Sequence, residues 1–376
     1  MTRDSKVNYE TKTKTILLTI TESCNLACIY CYEDYKSKRT MDFETAIRVI
    51  DRELNSLPEG ITLDVSYMGG EPFINFELMK RIYEHYESLG VSNIKYTCSS
   101  NGTLVHGEIK EWVREHFPKF SYNLSLDGTK QVQDHNRSNS FDDIDLEFYL
   151  ELYGGEGMVK MTLHPETISH LAESVKYMHS IGLHPVANCA YGVDWTQKEV
   201  LDVYKGQLLQ LIGFYLGNPD IKPCSLLNDN IKALAYDTNY KPWCGIEKMT
   251  VFSTSGEGYP CHFFQDVTIG KELAEKMPKL DVTRLIDYMD PECQTCKFIN
   301  LCPTCFGSNY KKSGTFSKRD VSVCKTVKLQ LYANAIFQLE RIKKYGLGNL
   351  GLSEVNQKEL YEGICKIYQN IDPDKL

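Results

Sequence analysis

A chain of 376 residues with 42% hydrophobic and 24% charged residues has the composition of an ordinary globular protein, long enough for a full core and more than one domain. Its net charge of −8, with no basic tract, argues against a nucleic-acid partner, because binding a polyanion needs a cationic face. No apolar stretch is long enough to span a bilayer, and Met1 to Lys14 is polar and charged without a signal-peptide core, so the sequence predicts no membrane partner and a cytoplasmic protein. Fourteen cysteines in such a chain are expected to hold metal or do redox chemistry rather than pair as disulfides.

After an N-terminal extension (1–14), residues 15 to about 215 alternate between strand-like and helix-like stretches. Thr15 to Thr21 reads as the first strand. Asp42 caps a helix with apolar residues at Phe43, Ala46, Ile47, Ile50 and Leu54, a 3.6-residue period. Thr62 to Met68 is the second strand and Asn75 to Leu89 a helix closed by Gly90. Four further pairs follow: 93–99 with 107–117, 121–125 with 143–152, 158–163 with 167–181, and 185–190 with 198–214. Six successive βα units imply a parallel sheet covered by helices, an α/β fold. Curved round, it becomes a partial (β/α)6 barrel over residues 15–230, with its active site at the C-terminal ends of the strands. Residues 231–330, where composition shifts to Cys, Gly and aromatics around Pro242, form a small Cys-rich domain. A helical tail, 331–376, holds the helices expected at Val327 to Tyr345 and Ser353 to Gln369, both packed outside the barrel.

The motif that carries chemistry follows the first strand. Cys24, Cys28 and Cys31 are spaced C-x3-C-x2-C on one loop, and three thiolates so placed can hold three corners of a cubane iron–sulfur cluster. No fourth cysteine lies within reach on the loop, so one iron is left for a small chelating ligand. An open iron on a reduced cluster can bind S-adenosylmethionine and pass it an electron, yielding a carbon radical. With Tyr30 before the third cysteine, this stretch resembles the hallmark of the radical S-adenosylmethionine enzymes, and the resemblance extends from residue 15 to about 330.

That resemblance implies roles for residues at the strand ends. Gly69, Gly70 and Glu71, followed by Pro72, would meet the methionyl amino group, the glycines permitting close backbone approach. Asn101, in Ser99-Ser100-Asn101-Gly102, and Ser125, in Ser125-Leu126-Asp127-Gly128, would bind the cofactor together with Tyr30. Asp127 and Arg137 match the S-L-D-G…H-x-x-R pattern of the peptide-modifying branch and would face the barrel lumen as catalytic residues. Asp127 alone could equally be a turn residue. Cys98, Cys189 and Cys365 read as small buried hydrophobes.

Seven cysteines fall within 81 residues at Cys244, Cys261, Cys293, Cys296, Cys302, Cys305 and Cys324. C-x2-C pairs also serve zinc, so this stretch alone leaves zinc and iron–sulfur open. Behind a radical-enzyme barrel the order resembles the SPASM extension, which carries two auxiliary [4Fe–4S] clusters. One departure is two residues, where the family usually has three, between the third and fourth cysteines of the central group. The resemblance assigns Cys293, Cys296, Cys302 and Cys324 to an outer cluster and Cys244, Cys261 and Cys305 to an inner one, three clusters in all. The inner cluster's fourth corner is open, or filled by Cys224 or His262.

The implied function is a radical maturase that abstracts hydrogen from a ribosomal peptide or protein and forms a crosslink, thioether or other, or an oxidised residue. It would draw electrons from a flavodoxin- or ferredoxin-type donor. The alternatives are an anaerobic sulfatase-maturing enzyme and a non-enzymatic multi-cluster electron carrier. Sulfatase-maturing relatives place an aspartate base after the cysteine matching Cys261; here that residue is His262, whose imidazole can also take a proton. Many peptide maturases carry an N-terminal winged helix, for which about fourteen residues leave no room.

Overall fold

The computed structural model describes residues 6–155, 157–228, 230–236 and 244–375, so the composition shift around Pro242 lies outside the described residues. In chain order the elements are β1 (Val7–Asn8), β2 (Thr13–Thr21), α1 (Phe43–Asn55), β3 (Thr62–Gly69), α2 (Phe76–Ser88), β4 (Ile94–Ser100), α3 (Gly107–His116) and β5 (Phe120–Ser125). Then come α4 (Lys130–Asn136), α5 (Leu146–Tyr153), β6 (Met158–Leu163), α6 (Leu171–Ser180), β7 (His184–Cys189) and α7 (Lys198–Gly217). The C-terminal part holds β8 (Met249–Phe252), β9 (Gly258–Tyr259), the short helices α8 (Asp266–Ile269), α9 (Lys271–Glu275) and α10 (Pro291–Gln294), then α11 (Phe306–Ser313), α12 (Val321–Tyr345) and α13 (Glu354–Asn370). The βα alternation expected from the sequence is thus present, with α4 as an additional helix.

The chain divides into two compact units. The first comprises Met1–Ser125, Arg137–Gly154 and Gly245–Leu285. Its centre is β2, which pairs in parallel with β3, as β3 does with β4 and β4 with β5. Ile16, Leu18 and Ile20, alternate residues that share one face of the strand, are fully buried, while Thr15 and Leu17 on the other face are half-buried. On its other edge β2 takes up β8, also parallel, with Leu18 opposite Phe252, and β9 folds back antiparallel on β8. The sequence reading missed β8: four residues carry no measurable period, and the pairing is a long-range one. Helix α1 starts where expected, Asp42 Oδ1 accepting the Thr45 N–H at 2.7 Å. It buries Thr45, Ala46, Val49 and Ile50, a stripe that takes in Val49 where the periodicity favoured Ile47.

The second unit comprises Leu126–Asn136, Gly155–Cys244 and Ile286–Leu376. Here β6 and β7 pair in parallel, and α12 lies along α7. Helix α12 begins at Val321, capped by Asp320, whose carboxylate accepts the Ser322 N–H at 3.0 Å. Cys324 therefore rides on its first turn, earlier than the expected start at Val327. The tail helices do more than cover an outer surface. Val327, Leu331 and Ala335 of α12 and Leu360, Ile364 and Ile367 of α13 enclose Ile231, Leu234, Phe298 and Leu301 in a second core, against which Cys296 and Cys302 pack.

Candidate active site

The cysteine loop leaves the end of β2 as a tight turn. Cys31 N–H donates to the Cys28 carbonyl at 3.1 Å and Leu26 N–H to Cys24 Sγ at 3.5 Å, and all three thiols are partly exposed. Glu22, 2% exposed, braces the loop's base by accepting from Ser37 Oγ at 2.6 Å and Arg39 Nε at 2.9 Å. Arg39 reaches onward to Asp266 at 2.7 Å. Further out, Ala27 N–H donates to Ser138 Oγ at 2.9 Å and Asn25 Nδ2 to Thr103 Oγ1 at 2.8 Å. Lys36 hydrogen-bonds Cys31 and lies beside Cys24. Burial raises the Cys24 thiol's pKa, opposed by the Leu26 N–H and the Lys36 charge. Glu22, Lys36, Thr103 and Ser138 were missed because their spacing carries no motif.

Gly69 and Gly70 do serve close approach, and the backbone they meet is the cysteine segment itself. A Cβ on Gly69, at φ +133, would stand 1.9 Å from the Thr21 carbonyl oxygen, and one on Gly70 2.2 Å from that of Ser23. Gly70 N–H and Glu71 N–H then donate to those same carbonyls at 3.1 and 2.9 Å. Glu71 is 1% exposed, and its carboxylate accepts from Asn101 N–H at 2.8 Å, Ser100 Oγ at 2.9 Å and Phe73 N–H at 3.1 Å. Burial pushes its pKa up to about 7 against these bonds. The side chain thus clamps the Asn101 loop to the glycine loop. Asn101 Nδ2 completes the link by donating to Asn25 Oδ1 at 2.9 Å.

The Arg137 guanidinium lies 5.3 Å over the Tyr30 ring and is 8% exposed, so both residues stand at the cysteine loop. Ser125 ends β5, half-buried. Asp127, in the second unit, is fully buried. Its Oδ1 accepts Thr162 N–H at 2.9 Å and its Oδ2 accepts Asn136 Nδ2 at 3.2 Å, while its own N–H donates to Gln133 Oε1 at 2.8 Å. These surroundings make Asp127 a brace that ties α4 to β6, in place of the lumen-facing side chain expected from the motif.

In the first unit Cys261 caps a short turn, its thiol pushed up to about 11 by burial. His262 Nδ1 is 3.8 Å from that sulfur, and its ring lies 5.2 Å from the Tyr32 ring. The remaining auxiliary cysteines belong to the second unit. Cys293 sits in α10 behind its Asp290 cap, Cys296 and Cys302 follow on successive tight turns, and Cys324 opens α12. The field of Cys324 acts on both Cys293 and Cys302, so these thiols are neighbours; burial pushes them up to about 11 and 12. Arg319, bonded to Asp290 at 2.7 Å, also hydrogen-bonds Cys324. Among the described residues, no three His, Cys, Asp or Glu side chains converge on a single metal ion. A zinc knot would need its thiolates about 3.8 Å apart, given a Zn–S bond of about 2.3 Å. Cys305 caps α11, its sulfur accepting Ser308 N–H at 3.3 Å, and both Cys305 and Cys244 lie close to Tyr191. Cys224 is fully buried and hydrogen-bonded to Tyr215.

Residues 18–204 match the family model described as the Radical SAM superfamily. A serine-type anaerobic sulfatase-maturating enzyme of Klebsiella aerogenes is 31% identical over 122 residues, 31% of this chain and 29% of that enzyme. The chain spans 61% or less of the length of the first curated relatives it matches. Among solved structures, anSMEcpe with bound AdoMet shares the fold at a TM-score of 0.65 and 17% identity, covering 92% of this chain and 98% of that one. The same enzyme with AdoMet and the Cp18Cys peptide scores 0.64. Streptococcus suis SuiB bound to precursor peptide SuiA scores 0.56 at 13% identity, covering 82% of this chain and 75% of that one. The family match starts on β2, takes in the cysteine loop and the Gly69–Gly70–Glu71 clamp and runs into α7, and by it the chain belongs to the Radical SAM superfamily, whose members are enzymes.

Proposed function

We propose that this enzyme is a maturase acting on a ribosomal peptide or protein, with a cysteine-bearing peptide as the favoured substrate. The observation that carries the reading is the braced loop of Cys24, Cys28 and Cys31 in a chain that also gathers Cys293, Cys302 and Cys324. Thiols alone, partly exposed on one loop with a lysine beside them, are the donor set a [4Fe–4S] cluster takes. With S-adenosylmethionine, such a cluster supplies a hydrogen-abstracting carbon radical. Gly69 and Gly70 keep the backbone against the loop, Glu71 and Asn101 hold the neighbouring loop in register, and Ser125 and Tyr30 offer contacts to the cofactor. Arg137 puts a fixed positive charge beside Tyr30. His262 is the proposed proton acceptor. Cys293, Cys296, Cys302 and Cys324 suit one auxiliary cluster, and Cys244 and Cys305 are proposed for a second with a corner open to a substrate thiolate, Cys224 being engaged with Tyr215.

Formylglycine formation on a sulfatase is the second reading, supported by the segment 31% identical to the Klebsiella enzyme. The test is anaerobic turnover of reconstituted protein with S-adenosylmethionine, dithionite and either sulfatase-derived serine and cysteine peptides or any short cysteine-bearing precursor found encoded beside this gene. Release of 5′-deoxyadenosine with a crosslinked precursor is expected. Formylglycine in the sulfatase peptide establishes the second reading instead, and no 5′-deoxyadenosine with any peptide overturns both.

A further inference from the structure

Within the second unit, a cavity of about 90 Å³ opens between the end of β7, Ser225, Leu226, Asn228 and Asn230, and α12. That is room for a few waters or one small side chain. Its lining includes Asn188, Asn228, Asn230, Gln330 and Asn334, and among the described residues none of the lining is charged. Most of these amides are already fixed to one another. Asn334 Nδ2 donates to Asn230 Oδ1 at 3.4 Å, Asn228 Oδ1 accepts Asn230 N–H at 2.9 Å, and Gln338 Nε2 ties Asn228 and Asn334 together from behind. Gln330 Nε2 donates to Tyr204 at 2.8 Å and to Cys189 Sγ at 3.4 Å. Cys189 is thus an acceptor in the wall, where the sequence suggested a plain hydrophobe. Among the described residues, Asn188, Asn230 Nδ2 and Gln330 Oε1 make no such bond, which leaves donors and an acceptor at one cavity.

We propose that this cavity is a recognition subsite for an uncharged, carboxamide-bearing residue, asparagine or glutamine, of the peptide substrate. An amide presents one acceptor and two donors, the complement of what the lining leaves over. A carboxylate or ammonium would lose its hydration with no counter-charge among the described lining residues to replace it, so charged residues are rejected. The interlocked Asn228–Asn230–Asn334 wall is set before binding, which lowers the ordering cost of recognition. Tyr191, another wall residue, lies beside Cys305 and Cys244, so the occupant is held next to the auxiliary thiols. The inference rests on the peptide-maturase reading for its ligand class.

The test uses full-length reconstituted holoenzyme and three capped tripeptides, acetyl-Gly-X-Gly-amide with X as Asn, Asp or Lys, measured by calorimetric titration. The Asn peptide should bind at least about tenfold more tightly than the other two, since an unpaired charge is the costlier group to bury. Asn188→Asp, a near-isosteric change at an exposed wall position, should abolish that preference and favour the Lys peptide. Gln330→Glu should act in the same direction and guards against a local folding defect in the first variant. Equal affinity for the three peptides, or an unchanged preference in both variants, overturns the subsite and leaves a water-filled cavity. Release of 5′-deoxyadenosine by the same preparation separates this result from the maturase reading: its absence with an intact Asn preference removes the radical chemistry and keeps the site.

Discussion

The two sets of cysteines are held by different means. Cys24, Cys28 and Cys31 lie within one loop, and buried carboxylates fix it: Glu22 at its base and Glu71 through the adjoining glycine loop. Cys293, Cys305 and Cys324 are instead placed by helix starts, with Asp290 capping α10, Cys305 itself capping α11 and Asp320 capping α12. A helix N-terminus offers free N–H groups and a positive dipole end, which favour a thiolate, and at Cys324 the Arg319 side chain adds a hydrogen bond. The first set is thus sensitive to single buried side chains. The second depends on the packing of α12 and α13 around Ile231, Leu234, Phe298 and Leu301.

The largest effect should separate the two sets outright. Cys24→Ala, Cys28→Ala or Cys31→Ala should reduce 5′-deoxyadenosine formation to background, whereas Cys302→Ala should lower iron content yet retain formation. Chromatographic product assay with iron and sulfide analysis checks both. Persistent cleavage in any loop variant would return that loop to a structural role, and the contrast between the sets would collapse.

An intermediate effect is expected at the clamp. Glu71→Ala leaves the donors of Asn101, Ser100 and Phe73 without an acceptor. At about 1–3 kcal/mol for an orphaned buried group, with partial relaxation, a loss on the order of 3 kcal/mol follows. Because the clamp is made within the protein, urea unfolding should register this loss even without cluster or cofactor. Unchanged apoprotein stability with weakened S-adenosylmethionine binding would instead make Glu71 a ligand contact.

The smallest effect is a difference in pH response. In the second unit His179 is held well below its ordinary value, at about 4, by burial and by His184, with Tyr215 2.8 Å from its Nε2. The unfolded chain takes up its proton near 6.5, so stability falls as pH drops from about 6.5 to 4. The half-exposed ring limits this to roughly 1–2 kcal/mol. Glu71 has the opposite sign: its folded value near 7 exceeds the ordinary 4.5, so stability is full below 4.5 and declines as pH rises through 7. His179→Gln should flatten the acid limb of a urea-unfolding series and Glu71→Gln the neutral limb. A variant that flattens neither limb would show that its residue does not set the pH response.

By itself the sequence determined the βα alternation, the capped start of α1 and the three-cysteine loop. Each is written in local spacing: a 3.6-residue period, a cap three residues before its N–H, thiols within eight positions. Glycines at 69 and 70 read in sequence as a close approach to a ligand. That the partner is the Thr21–Cys24 backbone was decided in space, where β2 and β3 run side by side. Only the tertiary structure made Asp127 a brace and Glu71 a clamp, because an acidic residue reads the same in sequence whether it meets a ligand or a backbone amide. It alone set β8 against β2, drew Cys324 into α12 and assembled the amide-lined cavity from segments more than a hundred residues apart. Such groupings depend on which elements bury one another, and burial is a property of the whole chain.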